Sequence, residues 1–411
     1  MAHYFDALET RSPEQREIEQ FELLVAQLQH AREHSVAYSA LLSEVEPATV
    51  TDRAALARLP VTRKSDMAVR QAETPPFGGF ATLNEGDLQH VFASPGGIFE
   101  PDAGGADDWN MGRALHAVGV RPGDLIHNTF SYHFTPAGLM LDRAARAFGC
   151  AVFPAGVGQT ELQVLAMAHL RPRVYCGTPS FLKIILDKAR EMEADVSSLE
   201  LGTVGGEALS GSLRGELADQ GVSVLQVYAT ADVGLIAYES SAQEGMIIEE
   251  SIIVEIVRPG TGDLVAEGEV GEVLVTTFDP HYPLIRFATG DLSTFMSGES
   301  PCGRTNRRVL GWMGRADQTA KVRGMFVHPS QVADVVARHS EILRARLVID
   351  NQNNADTMVL RCEVDAVGEG FSDTLSRTIR EICKLRGEIE WLPEGALPND
   401  GKVIDDQRTY D

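Results

Sequence analysis

Between residues 124 and 227, short apolar runs alternate with amphipathic stretches, and no other feature of the chain restricts its fold so tightly. The apolar runs fall at 124–127, 151–153, 173–175, 201–204 and 222–227. The segments between them, 137–148, 161–169, 179–192 and 210–220, carry helical spacing. Strand, helix, strand at this rhythm predicts a mostly parallel sheet with helices on its faces. Ligands of such sheets sit beyond the carboxyl ends of the strands, so the loops that follow these runs are where function is sought.

After residue 245 the pattern changes. Runs at 252–257, 271–277 and 286–287, joined by glycine-bearing turns at 258–263 and 267–268, predict a small antiparallel sheet or barrel. The last hundred residues predict a compact α+β unit, with strands at 346–349, 358–364 and 388–391 and a helix at 372–384. A hinge is expected near 314–318. The fold class is therefore α/β. A large N-terminal domain, 1–313, holds mostly parallel sheets with flanking helices and a small barrel-like β subdomain; a small α+β domain covers 314–411. Near the start, Ser12 caps a helix, Pro13 suits its first turn, and Gln15 closes a capping box. Ile18, Phe21, Val25 and Leu28 then mark the expected buried face.

Charge removes several functions. With 36 basic against 59 acidic residues the formal charge is −23. A broad nucleic-acid surface needs a basic face, and docking on anionic lipid needs the same, so neither nucleic acid nor membrane is an expected partner. A pocket's local field can still oppose the net charge and admit a nucleotide. No run of eighteen apolar residues exists, and the polar, acidic start lacks the pattern of a secretory signal. The five cysteines are widely spaced without a C-x-x-C pair, which reads as reduced thiols in a cytoplasmic protein.

Four short segments carry chemistry. Tyr228-Ala229-Thr230-Ala231-Asp232 follows the 222–227 strand and offers a stacking ring, a hydroxyl and a carboxylate suited to magnesium. Arg286-Phe287-Ala288-Thr289-Gly290-Asp291 reads as a strand leading into a Thr-Gly-Asp turn, which would set a carboxylate at a strand end where a ribose diol can be held. Gly314-Arg315-Ala316-Asp317 follows, with Lys321-Val322-Arg323-Gly324 behind it. Pro398-Asn399-Asp400-Gly401-Lys402 projects a lysine from a glycine-bearing turn near the C-terminus. Taken singly, each also reads as a core aromatic, a solvated turn, a polar linker or an exposed tail.

Their order, Y-x-x-x-D, R-F-x-T-G-D, G-R-x-D and P-x-x-G-K, resembles the adenylate-forming superfamily. The segments YFDALETR (4–11), HSVAY (34–38), LPVTRK (59–64) and SPCGRT (300–305) resemble its phenylacetate–CoA ligase branch. The resemblance implies a large domain and a small mobile one. It implies ATP, Mg2+ and CoA, and a carboxylic acid converted to an acyl-adenylate and then to a thioester. Asp291 would hold the ribose, and Tyr228 and Ala229, with Gly205, Gly206, Glu207 and Ala208, would lie along the nucleotide. Asp232, in place of the usual glutamate, would hold magnesium beside Thr230. Arg315 would approach the nucleotide, Asp317 would be the hinge, and Lys402 would serve adenylation. Lys321, Arg323 and Gly324 would face the thioester site.

The phosphate loop departs from the family pattern. A Ser/Thr/Gly-rich loop ending in Lys-Pro is usual; here the chain reads Ser94-Pro95-Gly96-Gly97-Ile98-Phe99-Glu100-Pro101. Ser94, Gly96 and Gly97 can still meet phosphate, but the lysine is absent and Glu100 stands near its place. Tyr132, His133, Phe134, Pro179 and Phe181 are the expected acyl pocket, a wall that fits a small aromatic acid; a packed core is the alternative. Arg304, Arg307 and Arg308 form a basic cluster that reads as a solvated turn, with CoA phosphate binding as the alternative. A homodimer is the expected assembly. Two other readings of function stand beside the CoA ligase: an adenylating enzyme with a carrier-protein or amine acceptor, and a nucleotide- or acyl-binding homologue without catalysis.

Overall fold

A computed structural model of the chain describes residues 4–94, 97–323, 325–352, 355–368, 370–398 and 402–408. Two compact units emerge: 1–289 with 294–311, and 290–293 with 312–411.

The first unit is built on a nine-stranded sheet. Five of its strands, Ala151–Pro154, Leu125–Asn128, Val174–Gly177, Leu201–Val204 and Ser223–Thr230, are neighbours in that order and parallel. The helices Ala137–Ala147, Thr160–Leu170, Pro179–Glu191 and Gly211–Asp219 connect them as the periodicity predicts. Beyond residue 230 the same sheet continues antiparallel through Gly234–Glu239, Met246–Ile248, Arg308–Val309 and Phe295–Met296. That extension corrects the sequence reading. The longer of these strands are buried on both faces and show no alternation to detect.

A second, four-stranded sheet joins Ile252–Val257, Gly271–Thr277 and Phe287–Ser293 with the short upstream strand Thr62–Arg63. Its apolar residues pack on the long helix Pro13–His34. Ser12 caps that helix through the Gln15 N–H, but the box does not close, because the Gln15 side chain turns to Glu19. Its buried face runs through Phe21, Leu24, Leu28 and Ala31, each buried leucine contributing about 2 kcal/mol. Ile18, expected on that face, is 56% exposed. Arg16 and Gln20 take the inward positions instead and bond Glu250 and the Ile252 carbonyl.

Two further expectations are overturned here. Thr289-Gly290-Asp291 is not a turn but lies within the strand Phe287–Ser293. Arg286, at φ 46°, enters that strand as a clamp, bonding Glu255 and the carbonyls of Ala57, Leu59 and Gly262 from a fully buried position. Nor do the later arginines form a solvated turn: Arg304 and Arg308 are buried. Arg304 pairs with the wholly buried Glu9, which also accepts a 2.6 Å hydrogen bond from Tyr238 and so ties the 4–11 segment to the sheet. Arg308 caps the carbonyls of Glu244 and Glu299, while Arg307 is exposed, its guanidinium over the Phe295 ring.

In the second unit, Glu388–Leu392, Ala355–Val364, Ile342–Gln352 and Ile404–Asp406 make one sheet, packed by Pro329–Ala337 and Phe371–Cys383. Among the described residues no helix is long and apolar enough to cross a membrane.

Candidate active site

The parallel sheet changes direction between two of its strands. From Leu125–Asn128 the chain steps to Ala151–Pro154 on one side, then to Val174–Gly177 on the other. A crevice opens outside the carboxyl ends of such a pair. Loop 129–135 and the start of the helix Pro179–Glu191 lie at that reversal. Tyr132 is half-buried and its hydroxyl joins Asn128 at 2.9 Å and Asp142 at 3.3 Å; burial first, then the Asp142 charge, push its phenol upward. His133 is exposed, and so is Phe134, whose carbonyl accepts from the Ala93 N–H. Pro179 is buried as the first helical residue, and Phe181 lies partly covered behind the Thr178 cap.

The next strand end brings up the glycine pair. Gly205 donates to the Gly177 carbonyl, and Gly206 takes φ 79°, which only glycine holds without strain. Glu207 accepts from the Ser180 N–H at 2.7 Å, a carboxylate at a helix N-terminus. Ala208 is exposed.

The strand Ser223–Thr230 runs three residues further than the apolar run shows, so Tyr228, Ala229 and Thr230 belong to it. Tyr228 is buried, with its hydroxyl 3.4 Å from Thr289. Thr230 accepts from the Val233 N–H and so closes the hairpin turn that carries Asp232. Gly234, next along, lets the backbone of Trp109 approach; a Cβ there would sit 2.9 Å from it.

Asp232 does not stand alone. The ammonium of Lys64 lies 2.9 Å and 3.1 Å from its two oxygens. Lys64 begins the helix Lys64–Glu73, directly after the Thr62–Arg63 strand that pairs with Phe287 and Ala288. Glu100, opposite Phe92 in the hairpin His90–Ala93 and Phe99–Asp102, lies against Asp232. Burial first, then the Asp232 charge, push the Glu100 carboxyl well above the usual carboxylate range. Ser94 is buried, its hydroxyl turned toward the Ile98 carbonyl, and Gly97 takes φ 79°. Gly96 lies outside the described residues.

Glu100 and Asp232 face a cavity of about 410 Å³, walled also by Phe92, Trp109, Phe278 and Tyr282 among others. The loop residues Tyr132, His133, Phe134, Pro179 and Phe181 stand outside its wall. Sequence reasoning missed Lys64, Trp109 and Tyr282 as parts of this site. Lys64 had a signal, standing at the end of the LPVTRK segment; the two aromatics had none.

In the second unit Asp291 accepts from Trp312 at 3.0 Å and pairs with Arg315 at 3.2 Å. Gly290, at φ 75°, leaves room for that guanidinium, which a Cβ would meet at 2.5 Å. Trp312 was not foreseen, though it lies three residues before Arg315. Lys402 reaches Asp405 at 3.1 Å, and its carbonyl accepts from Arg346. Asp317 lies in the 3-10 turn Ala316–Gln318, and Lys321 in the strand Ala320–Val322. Arg323 bonds the Asp356 backbone and side chain. Gly324 lies outside the described residues.

Comparison with known proteins decides the family. The AMP-binding enzyme family matches residues 113–278. The phenylacetate-coenzyme A ligase of Thermus thermophilus is 31% identical, over 96% of this chain and 96% of its own. That of Aromatoleum evansii is 29% identical over 88% and 84%. The chain belongs to the phenylacetate–CoA ligase branch of the adenylate-forming enzymes. It is accordingly an AMP-forming acid–CoA ligase, using ATP to make an acyl-adenylate and CoA to take the acyl group. In fold it matches the 2-hydroxyisobutyryl-CoA ligase solved with 2-HIB-AMP and CoA, with a TM-score of 0.86 and 23% identity, covering 100% of this chain and 95% of that one.

Proposed function

We propose that the acid activated by this ligase is a small aromatic carboxylate of the arylacetate or benzoate type, and that the Lys64–Asp232–Glu100 cluster marks the reacting end of its cavity. The observation that carries this reading is the wall itself. Phe92 and Trp109 meet edge to face, and Tyr282 and Phe278 complete an aromatic lining beside charged groups. A flat ring fits between such faces, and its carboxylate then points to the polar end.

In this reading Asp291, Arg315 and Trp312 take the ribose side of the nucleotide. Tyr228, Ala229 and the Gly205–Gly206–Glu207–Ala208 loop take the base side. Lys402 offsets the negative charge that gathers as carboxylate oxygen attacks the α-phosphate, a role for a preorganised cation. Asp232 fits as a magnesium ligand, since it is a buried carboxylate that faces a cavity with room for water. Magnesium, when bound, supplies charge neutralisation for the triphosphate. Tyr132, His133 and Phe134 flank the entrance through the Phe134–Ala93 bond. Residues 1–313 and 314–411 act as separate domains about a hinge at Asp317, with Lys321, Arg323 and Gly324 on the CoA side. The chain works in the cytoplasm as a homodimer.

Carboxylate-dependent ATP–pyrophosphate exchange tests the reading, run with magnesium, without CoA, over a panel of arylacetic, benzoic and short aliphatic acids. Exchange with aryl acids and little with aliphatic ones is expected. Preference for an aliphatic acid overturns the aromatic assignment.

A further inference from the structure

Glu100 is 4% exposed, faces the cavity, and neither of its carboxylate oxygens has a hydrogen-bond partner. Asp232, adjoining it, has a side chain only 5% exposed and a single cation, Lys64, against it. Tyr282 adds a buried hydroxyl without a partner on the same wall. Buried polar groups are almost always paired, and two carboxylates side by side cannot pair each other without a proton or a metal between them. The unsatisfied groups all face one water-accessible space, so what completes them is a ligand rather than the protein.

We propose that Glu100 and Asp232 together hold one divalent cation at the head of the cavity, and that this cation takes the place of the lysine missing from the phosphate loop. The charges agree: Glu100, Asp232 and a doubly charged ion sum to zero, as a lysine at position 100 beside Asp232 would. The chemistry agrees as well. Magnesium binds through one or two carboxylates and fills its other positions with water and phosphate oxygens. Two carboxylates supplied by the protein would leave the remaining positions to water and phosphate oxygens. The departure at Glu100 is then a change of how positive charge reaches the triphosphate, not a loss of function. The use of the ion rests on the adenylation reading; its binding does not.

The test is binding of Mn2+ alone to the full chain, without nucleotide, followed by the electron paramagnetic resonance signal of free Mn2+. Wild type should take up one ion, with Mg2+ competing. Glu100→Gln and Asp232→Asn should each weaken uptake at least tenfold, and Glu100→Lys should abolish it. Thermal unfolding without metal checks that each variant is folded. Should a variant fail that check, a Mn2+-dependent rise in the wild-type midpoint, removed by chelator, serves in its place. No uptake by wild type, no such rise, or equal affinity in a folded Glu100→Gln overturns the proposal. Exchange activity without Mn2+ uptake would remove the cation site and leave adenylation standing. Uptake without exchange on any acid would do the reverse.

Discussion

Lys64 and Asp232 are brought within 2.9 Å of each other from positions 168 residues apart. The strand Thr62–Arg63 aligns beside Phe287 and Ala288, the hairpin after Thr230 turns the carboxylate to the cavity wall, and Lys64 meets it there. Lys64→Ala should therefore cost both stability and activity. Removing one partner leaves a buried charge uncompensated; with Lys64 a fifth exposed, solvent screens part of the loss. A drop of about 1–3 kcal/mol in denaturant unfolding is expected, with at least a tenfold fall in exchange rate. Unchanged unfolding would mean the pair is incidental.

Asp291 accepts from both Trp312 and Arg315, so its carboxylate is oriented before any nucleotide arrives. Asp291→Ala should raise the KM for ATP by about tenfold or more, on the order of 1.4 kcal/mol of lost binding, and leave the KM for the acid nearly unchanged. A rise in the acid KM alone would reassign the residue.

Lys402 separates the half-reactions. Lys402→Ala should lower acid-dependent ATP–pyrophosphate exchange by roughly a hundredfold or more, as expected when a transition-state cation is removed. The variant should still convert a supplied acyl-adenylate and CoA to thioester at near wild-type rate. Equal loss in both assays would sink the assignment.

Asp107 predicts a pH dependence. One of its oxygens accepts from the Gly112 N–H, and the other is buried without a partner. Burial pushes its carboxyl up from 3.8 to about 6. A raised folded-state value means that the stability from its neutral form is whole below pH 3.8 and is lost as pH rises through about 6. Asp107→Asn keeps the acceptor and cannot ionise. Its stability relative to wild type should rise between pH 4 and pH 7 by up to about 3 kcal/mol, since each tenfold change in proton affinity is worth about 1.36 kcal/mol. Chemical denaturation at both values checks this; a flat difference would refute it.

Apolar spacing located the parallel strands to within a residue or two at most ends, because burial on both faces imposes a run that nothing else in the chain mimics. It failed at the last of them. The strand continues through Tyr228, Ala229 and Thr230, residues held by pairing with the hairpin partner Gly234–Glu239 rather than by their own pattern. Ile18 failed for a related reason. At the start of the helix Arg16 and Gln20 turn inward to bond the 250–252 segment, while Phe21 and Leu28 keep to the core face as expected.

The sequence by itself determined the class of chemistry. The order of Tyr228, Asp232, Asp291, Arg315 and Lys402 along the chain is a local, one-dimensional property, and so are the run lengths that make the parallel sheet. Only the tertiary structure decided what Glu100 faces. Read alone it is a negative residue where a positive one belongs. Folded, it lies against Asp232, near Lys64, at the wall of an aromatic cavity, since charge at a site is set by neighbours in space and by the low polarity around them, neither of which is written at position 100.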